Sequence, residues 1–422
     1  MKIVTFTTRT LLLLLLVLAL GNCESEDVPV TSKTTTPNNL PLARTGILDK
    51  ITISTTDVTS TVQSAFSGRT SKTVSQVFAE GDALQSGLNS TTTKLVSLNK
   101  FKFGTNEQKN TRRPQGLANY GNYVIHGWYF TSESTWEDNC KLTIADLSQG
   151  KYFNIVPVQL HTTQTNKFKH IDSHASGLTV VGHYLYMANS ASILVFDLNK
   201  IYKIIKPSDP DVASGQNFIY EYTFMLPQVG EIIFDTDSGA KASYLSQTLI
   251  DSVNHFVVGN FYSTVSSSYS SGGKSMIWTL PVTNTSYSFP TIQTNASRIY
   301  PQIDPVFPSG DEIGQELTRI QGAIIKDNVL IMNRSYQDET YQLLVIRYAN
   351  IFADPLVITD FFTGTTSNPH GYNNKNWLYG CEDMEYYNGR VYTVTEFPEG
   401  LFGDRASYSG TYASFISLMD PI

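Results

Sequence analysis

The chain has 422 residues, with 30 Lys and Arg against 37 Asp and Glu and a formal charge of -7. No cluster of Lys or Arg interrupts that balance, so the concentrated positive charge that a phosphate backbone requires is missing and nucleic acid is excluded as a partner. A chain of this length buries enough surface to fold without staples. With Cys23 set aside, Cys140 and Cys381 are left as an accessory pair that an oxidising compartment would permit to bond.

At the N-terminus, Lys2 and Arg9 precede an unbroken apolar run from Leu11 to Leu20, followed by small residues. That is the layout of a secretory signal over residues 1–22. The run is about half the length of the roughly twenty apolar residues needed to span a bilayer, and no later segment repeats it. Two processing patterns compete. Ala19-Leu20-Gly21 suits ordinary signal peptidase, whereas Leu20-Gly21-Asn22-Cys23 resembles the lipobox of bacterial lipoproteins, with Asn22 where a small residue is usual. The expected location is therefore secreted or cell-surface, with membrane contact only through a lipid on Cys23.

Residues 23–45 are acidic and then rich in Thr, Pro and Asn, with too few apolar side chains to offset the entropy of ordering them. They read as a tether ahead of one domain over residues 46–422. N-x-S/T triplets open at Asn89, Asn284, Asn295 and Asn333, each a glycosylation acceptor in a eukaryotic secretory pathway.

Beyond the tether, 41% hydrophobic and 12% aromatic residues are spread over short alternating runs such as Tyr184-Leu185-Tyr186-Met187. Helical periodicity is confined to weak candidates at 57–66 and 199–205. An all-β fold is expected.

A repeat emerges once the turns are aligned. Taking Gly116, Gly177, Gly322 and Asp383 as a common position, a turn pair begins five residues later in each case: Gly121-Asn122, Gly182-His183, Asp327-Asn328 and Asn388-Gly389. Such pairs tolerate the positive φ that a two-residue hairpin demands. The common positions are 61, 145 and 61 residues apart, and the stretch from Lys241 to Tyr262 with Ser275 to Val282 fills the long interval with a fifth, divergent unit.

A period near 60 with about four strands per unit predicts a β-propeller of five blades. In the second unit the strands are expected at 175–180, 183–189 and 191–198, with an outer fourth near 220–224. The last unit supplies strands at 381–386, 390–396 and 412–419 and then ends. The alternating segment 95–103 is the natural donor of its missing strand, so that the N-terminus closes the ring and leaves no open edge. Residues 50–94 are either a sixth, degenerate blade or an outer elaboration.

Loops leading into the inner strands gather at one mouth of the central channel, and loops on a rigid scaffold are where binding and catalysis concentrate. The residues so gathered are Arg113 and Gln115, Asp172 and His174, Arg319 and Gln321, and Glu382 with Asp383. Glu382 and Asp383 are adjacent, so on a strand only one of them faces the site. Trp136 and Trp377 lie in polar loops and offer flat faces to a sugar ring, whereas most strand aromatics belong to the core.

A glycoside hydrolase would need two carboxylates about 5 to 9.5 Å apart, to be drawn from Asp172, Glu382, Asp383 and Glu396. No metal-ligating histidine pair, GxSxG elbow or phosphate-binding glycine loop is present in the sequence. No cofactor is called for, and a Ca²⁺ ion held by carbonyls and carboxylates in the channel stays open.

The blocks Arg-Pro-Gln-Gly at 113–116, His-Ala-Ser-Gly-Leu with Leu-Val-Phe-Asp-Leu between 174 and 198, Gln-Gly-Ala at 321–323, and Glu-Asp-Met with Val-Thr-Glu-Phe-Pro between 382 and 398 are similar, in the same order, to blocks of a group of secreted bacterial β-propeller-like proteins. Ser176 and Phe397 depart from that pattern. The resemblance covers roughly residues 100–420 and implies a secreted propeller-like domain without specifying an activity. Together these readings predict an exported, monomeric propeller that binds an extracellular glycan or cell-envelope component. The alternatives are a propeller glycosidase and a protein-interaction module.

Overall fold

A computed structural model of the chain describes residues 50–81, 84–86, 89–92, 99–102, 111–131, 136, 139–234, 241–250, 252–261, 277–283, 291–292, 295–299, 320–336, 340–348, 358–363, 381–387, 390–395 and 411–415. The leader, the tether and Cys23 lie outside the described residues, as do Asn284, Arg319, Trp377 and Glu396. None of the described helices is long and apolar enough to cross a membrane.

The described chain is all-β, built from antiparallel groups that follow the sequence repeat. The first unit runs through Arg112–Tyr120, Tyr123–Phe130, Cys140–Asp146 and Lys151–Leu160. The second has Leu178–Val181, Tyr184–Asn189 and Ser192–Asp197. The third has Tyr244–Ile250, Val253–Gly259 and Ile277–Thr283. The fourth has Ile320–Lys326, Val329–Tyr336, Thr340–Tyr348 and Ile358–Thr363. The fifth has Cys381–Tyr387, Arg390–Thr395 and Thr411–Phe415.

The hairpins of the first four units turn where the sequence supplies a residue able to take positive φ: Gly121 at 59°, Gly182 at 66°, Ser252 at 64° and Asp327 at 52°. In the third unit, Tyr244 pairs with Gly259 and Ile250 with Val253, so this hairpin extends further along both strands before it turns. That lengthening is why its turn misses the fixed offset.

The inner strands contact one another in cyclic order. A Cβ on Gly116 would lie 2.4 Å from the Ala175 carbonyl oxygen, one on Gly177 2.3 Å from the Leu245 nitrogen, and one on Gly322 2.8 Å from the Glu382 carbonyl oxygen. Between the third and fourth units, Ser246 Oγ donates to the Ala323 carbonyl at 2.6 Å and Thr248 Oγ1 to the Ile325 carbonyl at 2.5 Å. The circuit returns from the fifth unit to the first through Asp383 and Glu385, which accept from Leu117 and Asn119.

Alternating side chains fill the space between units, as a period of two requires. Ile125, Ile144 and Phe153 of the first unit pack with Leu178, Leu185, Met187 and Leu194 of the second. Tyr186 and Val195 of the second pack with Leu245, Phe256 and Val258 of the third. These residues are buried almost without exception. At about 25 cal/mol per Å² of apolar area removed from water, such interfaces dominate the stability.

The fifth unit gains its outer strands from the N-terminal side: Thr411–Ser414 pairs with Asn99–Lys102, which pairs in turn with Asn89–Thr92. The remaining described N-terminal strands pair with strands of other units. Lys50–Asp57 pairs with Gly230–Phe234 at one end and Asn295–Ser297 at the other, while Gln85–Ser86 pairs with Lys151–Tyr152.

The second unit's outer strand is Phe224–Phe234, later in the chain than expected. Asn217–Glu221 is instead a 3-10 turn. Residues 228–233 pair antiparallel with Ser192–Phe196, whereas 224–227 run parallel to Ile155–Val158. One strand thus joins the edges of two units.

Helix α1, Thr59–Ala65, matches the expected periodicity, but 199–205 holds only the short strand Tyr202–Lys203. Helix α2, Val74–Glu80, lies outside both periodic stretches, although its signals are local: a Thr73/Gln76 capping box opens it and Gly81 closes it at φ 74°. Around α1 lies an accessory core outside the repeat. In it Phe66 stacks on Phe168 at 4.6 Å and on Tyr202 at 4.0 Å.

Candidate functional site

Two places collect the polar residues predicted from the sequence, and they differ in chemistry. The first is where the inner strands meet. Three of these strands carry an irregularity at the common position: between Pro114 and Leu117, Ile320 and Gly322, and Cys381 and Met384. A bulge inserts a residue and re-aims the side chains and amides after it. Here backbone N–H groups of successive units are turned toward Asp383.

Asp383 Oδ2 accepts from the N–H of Leu117 at 3.1 Å and of Leu178 at 2.9 Å, and its Oδ1 accepts from Leu245 at 3.5 Å. Each donor is the residue after the common position of its unit, or in the third unit the corresponding residue. Two residues along the strand, and so on the same side of it, Glu385 Oε2 accepts from the backbone and the side-chain amide of Asn119 at 2.5 and 2.6 Å, while Thr179 Oγ1 lies 3.2 Å from Oε1.

Both carboxyl groups have 0% exposure. Burial raises the pKa of Asp383 well above its ordinary value, and the nearby Glu385 charge adds to the rise, although three backbone N–H groups pull the other way. Burial likewise pushes Glu385 up to about 8, against the bonds from Asn119 and Thr179. The oxygens are surrounded by N–H and hydroxyl donors, which repel a cation, so this donor set does not fit Ca²⁺. No group of three or more His, Cys, Asp or Glu able to hold a metal occurs among the described residues.

Asp383 therefore cannot be the substrate-facing acid that the sequence allowed, because nothing outside the fold reaches it. Glu382 is also enclosed, at 3% exposure, and accepts from Gln321 Nε2 at 3.2 Å. Strand parity correctly separates Glu382 from Asp383. Yet Glu385, absent from the expected set, is the true companion of Asp383. The available signal was the spacing of two between Asp383 and Glu385, which puts both on one side of the strand.

The second place is the approach to the second unit's inner strand. His174 is exposed and stacks on Tyr129, ring centroids 4.4 Å apart and 16° between planes. Arg113 is the cross-strand partner of Tyr129, so their side chains share a face. Asp172 bridges to Asn139 through the backbone, and its side chain, 62% exposed, takes Nε2 of His170 at 2.9 Å.

His170 is held from behind. Its backbone N–H donates to Gln216 Oε1 at 3.0 Å and its ring meets Phe218 edge-on at 5.8 Å. Ala175 takes positive φ, 50°, which lets the chain leave this loop and enter the inner strand against Gly127. Of the predicted mouth residues, His174 thus packs on Tyr129, whose strand partner is Arg113, and Asp172 binds His170; Tyr129 and His170 are unannounced by the sequence. Gln115 is buried, and Gln321 belongs to the Glu382 contact.

Trp136 is half-buried, tilted against Phe218 at 5.3 Å, and packs against the accessory core. Asn333 has 0% exposure and donates through Nδ2 to the Glu382 carbonyl, so it cannot accept a glycan in the folded protein. Asn89 and Asn295 lie on strands, with side chains outside the described set. Cys140 is a free thiol.

No family model matches the chain, and no curated protein matches it. Among solved structures, a crystal structure of a "putative glycosidase" from Bacteroides thetaiotaomicron VPI-5482 is similar with a TM-score of 0.31 and 12% identity, over 74% of this chain and 88% of that one. A similarity of that size transfers neither an activity nor a residue role.

Proposed function

We propose that the protein is an exported β-propeller of five blades, closed by its N-terminal strands, that binds an extracellular glycan or cell-envelope component at the rim beside the second blade. The leader-like N-terminus supports export, as plain secretion or as a lipid anchor on Cys23. Cyclic contact among the five inner strands supports the blade count.

The observation that carries the ligand class is the exposed His174 ring on Tyr129 next to the exposed Asp172 carboxylate. A flat ring face with an adjacent hydrogen-bond acceptor suits the apolar face and hydroxyl rim of a sugar. Catalysis is not part of the proposal: among the described candidate acids, Glu382 and Asp383 are enclosed and Asp172 alone is exposed.

The test is a glycan array with the mature chain, followed by calorimetric titration of the best hit against His174→Ala and Asp172→Asn. Loss of one stacking face is worth about 1 kcal/mol, so each variant is expected to weaken binding roughly five- to tenfold with an unchanged melting temperature. Binding that is indifferent to both changes would move the site elsewhere. Release of reducing sugar by the wild-type chain would restore the hydrolase reading.

A further inference from the structure

The carboxyl pair on the inner strand of the fifth unit has a property that binding at the rim does not use. Glu385 accepts two hydrogen bonds on Oε2, and among the described residues Oε1 meets the Thr179 hydroxyl at 3.2 Å. A hydroxyl accepts as readily as it donates. A protonated Glu385, with Oε2 as carbonyl and Oε1–H donating to Thr179, therefore satisfies every contact it makes. Asp383, with donors on both oxygens, is arranged for the ionised form.

Among the described residues, nothing charged neutralises a second ion. The groups that meet the pair from the first, second and third units are Leu117, Asn119, Leu178, Thr179 and Leu245, and Thr393 of the adjoining strand donates to the Asp383 carbonyl at 2.9 Å. On neighbouring positions, His126 is kept neutral by burial, which pushes it down to about 3, and Tyr244 is buried. Lys326 of the fourth unit lies over Tyr386 at 5.9 Å and is paired with Asp327. Glu382 points to Gln321. An ionised Glu385 would itself raise Asp383 further, a repulsion that a proton on Glu385 removes.

We infer that Asp383 and Glu385 form a one-proton latch: at neutral pH a single proton, seated on Glu385, lets the fifth unit hold the inner strands of the first three, and its loss frees the fifth unit from the ring. The released proton leaves to solvent and no bond other than O–H is broken. Because a raised pKa in the folded state means tighter proton binding than in the unfolded chain, the stabilisation is complete below the unfolded value near 4.5 and is lost as pH rises through about 8. The opposite dependence belongs to carboxylates whose pKa an ion pair depresses.

Hydrogen exchange followed by mass spectrometry on the whole mature chain, between pH 6 and pH 9.5 and corrected for intrinsic rates, reads the latch directly. Exchange in 381–395 is expected to accelerate about tenfold or more above pH 8, while the hairpin at 184–197 stays protected. Glu385→Gln, which keeps an acceptor for Asn119 and a donor for Thr179, is expected to abolish the acceleration. In the wild type at pH 7, a carbonyl stretch of a protonated carboxylic acid is expected in the infrared, and it should vanish in Glu385→Gln. Flat exchange from pH 6 to 9.5, a Glu385→Gln variant as alkali-sensitive as the wild type, or absence of the protonated band would each overturn the inference. Should that variant fail to fold, the wild-type exchange profile and infrared band decide the matter alone.

Discussion

Asp383 Oδ2 takes the backbone N–H of Leu178 at 2.9 Å, although the two are 205 residues apart in the chain. The same oxygen takes Leu117, 266 residues away. Tertiary structure is thus tied at one buried atom that no local propensity specifies. Replacing Asp383 by Ala leaves up to three buried N–H groups without an acceptor, each costing about 1–3 kcal/mol before relaxation. Urea unfolding of Asp383→Ala is expected to show a loss of at least about 3 kcal/mol, if the variant folds at all. Asp383→Asn keeps one carbonyl oxygen for Leu117 and Leu178, and should lose less than the Ala variant.

Close approach of neighbouring units makes a second prediction, about glycine. In Gly177→Ala the new methyl meets the Leu245 nitrogen at 2.3 Å and the Tyr244 carbonyl carbon at 2.6 Å, both of them backbone that cannot swing aside. Gly121 has positive φ but open space around it, so Gly121→Ala pays only the left-handed strain of about 1–2 kcal/mol. The ordering is the test. Gly177→Ala is expected to fall well below Gly121→Ala in thermal melts, and equal melting temperatures would mean that the units are not in contact there.

The hairpins are legible in the sequence because their signals are local. A turn residue tolerant of positive φ, five positions after a glycine pressed against the next unit, survives as a pattern in the first, second and fourth units. The third escapes it because its hairpin runs on from Tyr244–Gly259 to Ile250–Val253. Asp383 is recognisable as central but not for its work, since a letter in a strand does not say whether the group it faces is substrate or backbone. The accessory core is invisible for a different reason. Phe66, Phe168 and Tyr202 come together from segments that share no repeat and no spacing.

That accessory core has its own fastening. Arg69 Nη1 reaches Asp209 at 2.8 Å and Asp211 at 2.7 Å, its other arm bonds the Lys203 carbonyl, and its guanidinium lies 5.3 Å from the Phe66 ring. Asp209 is nearly fully buried and also accepts from the N–H groups of Ile205 and Asp211. Removing the arginine strands a buried carboxylate. Arg69→Ala is expected to cost roughly 2 kcal/mol or more and to open 204–216 to limited proteolysis. Arg69→Lys, a point charge without the second arm that bonds the Lys203 carbonyl, should restore only part of the resistance. Cleavage elsewhere, with 204–216 still protected, would contradict this role.

Cys140 offers the last test, and it separates access from chemistry. Its Sγ has no exposure and donates to the Ile171 carbonyl at 3.3 Å, immediately before the loop that carries Asp172 and His174. Burial raises its pKa far above the ordinary range, and the nearby Asp172 charge adds to the rise, so the nucleophilic thiolate is scarce as well as shielded. The native protein is expected to resist iodoacetamide at pH 8 and to react at an ordinary thiol rate once urea has unfolded it. Cys140→Ser keeps a donor for the Ile171 carbonyl, whereas Cys140→Ala leaves that acceptor unpaired at a cost of about 1–3 kcal/mol. If the bond to Ile171 steadies the rim, Cys140→Ala should be the less stable of the two, and exchange at 170–175 should rise in it alone. Rapid alkylation of the native chain would show instead that this edge of the first unit opens to solvent on its own.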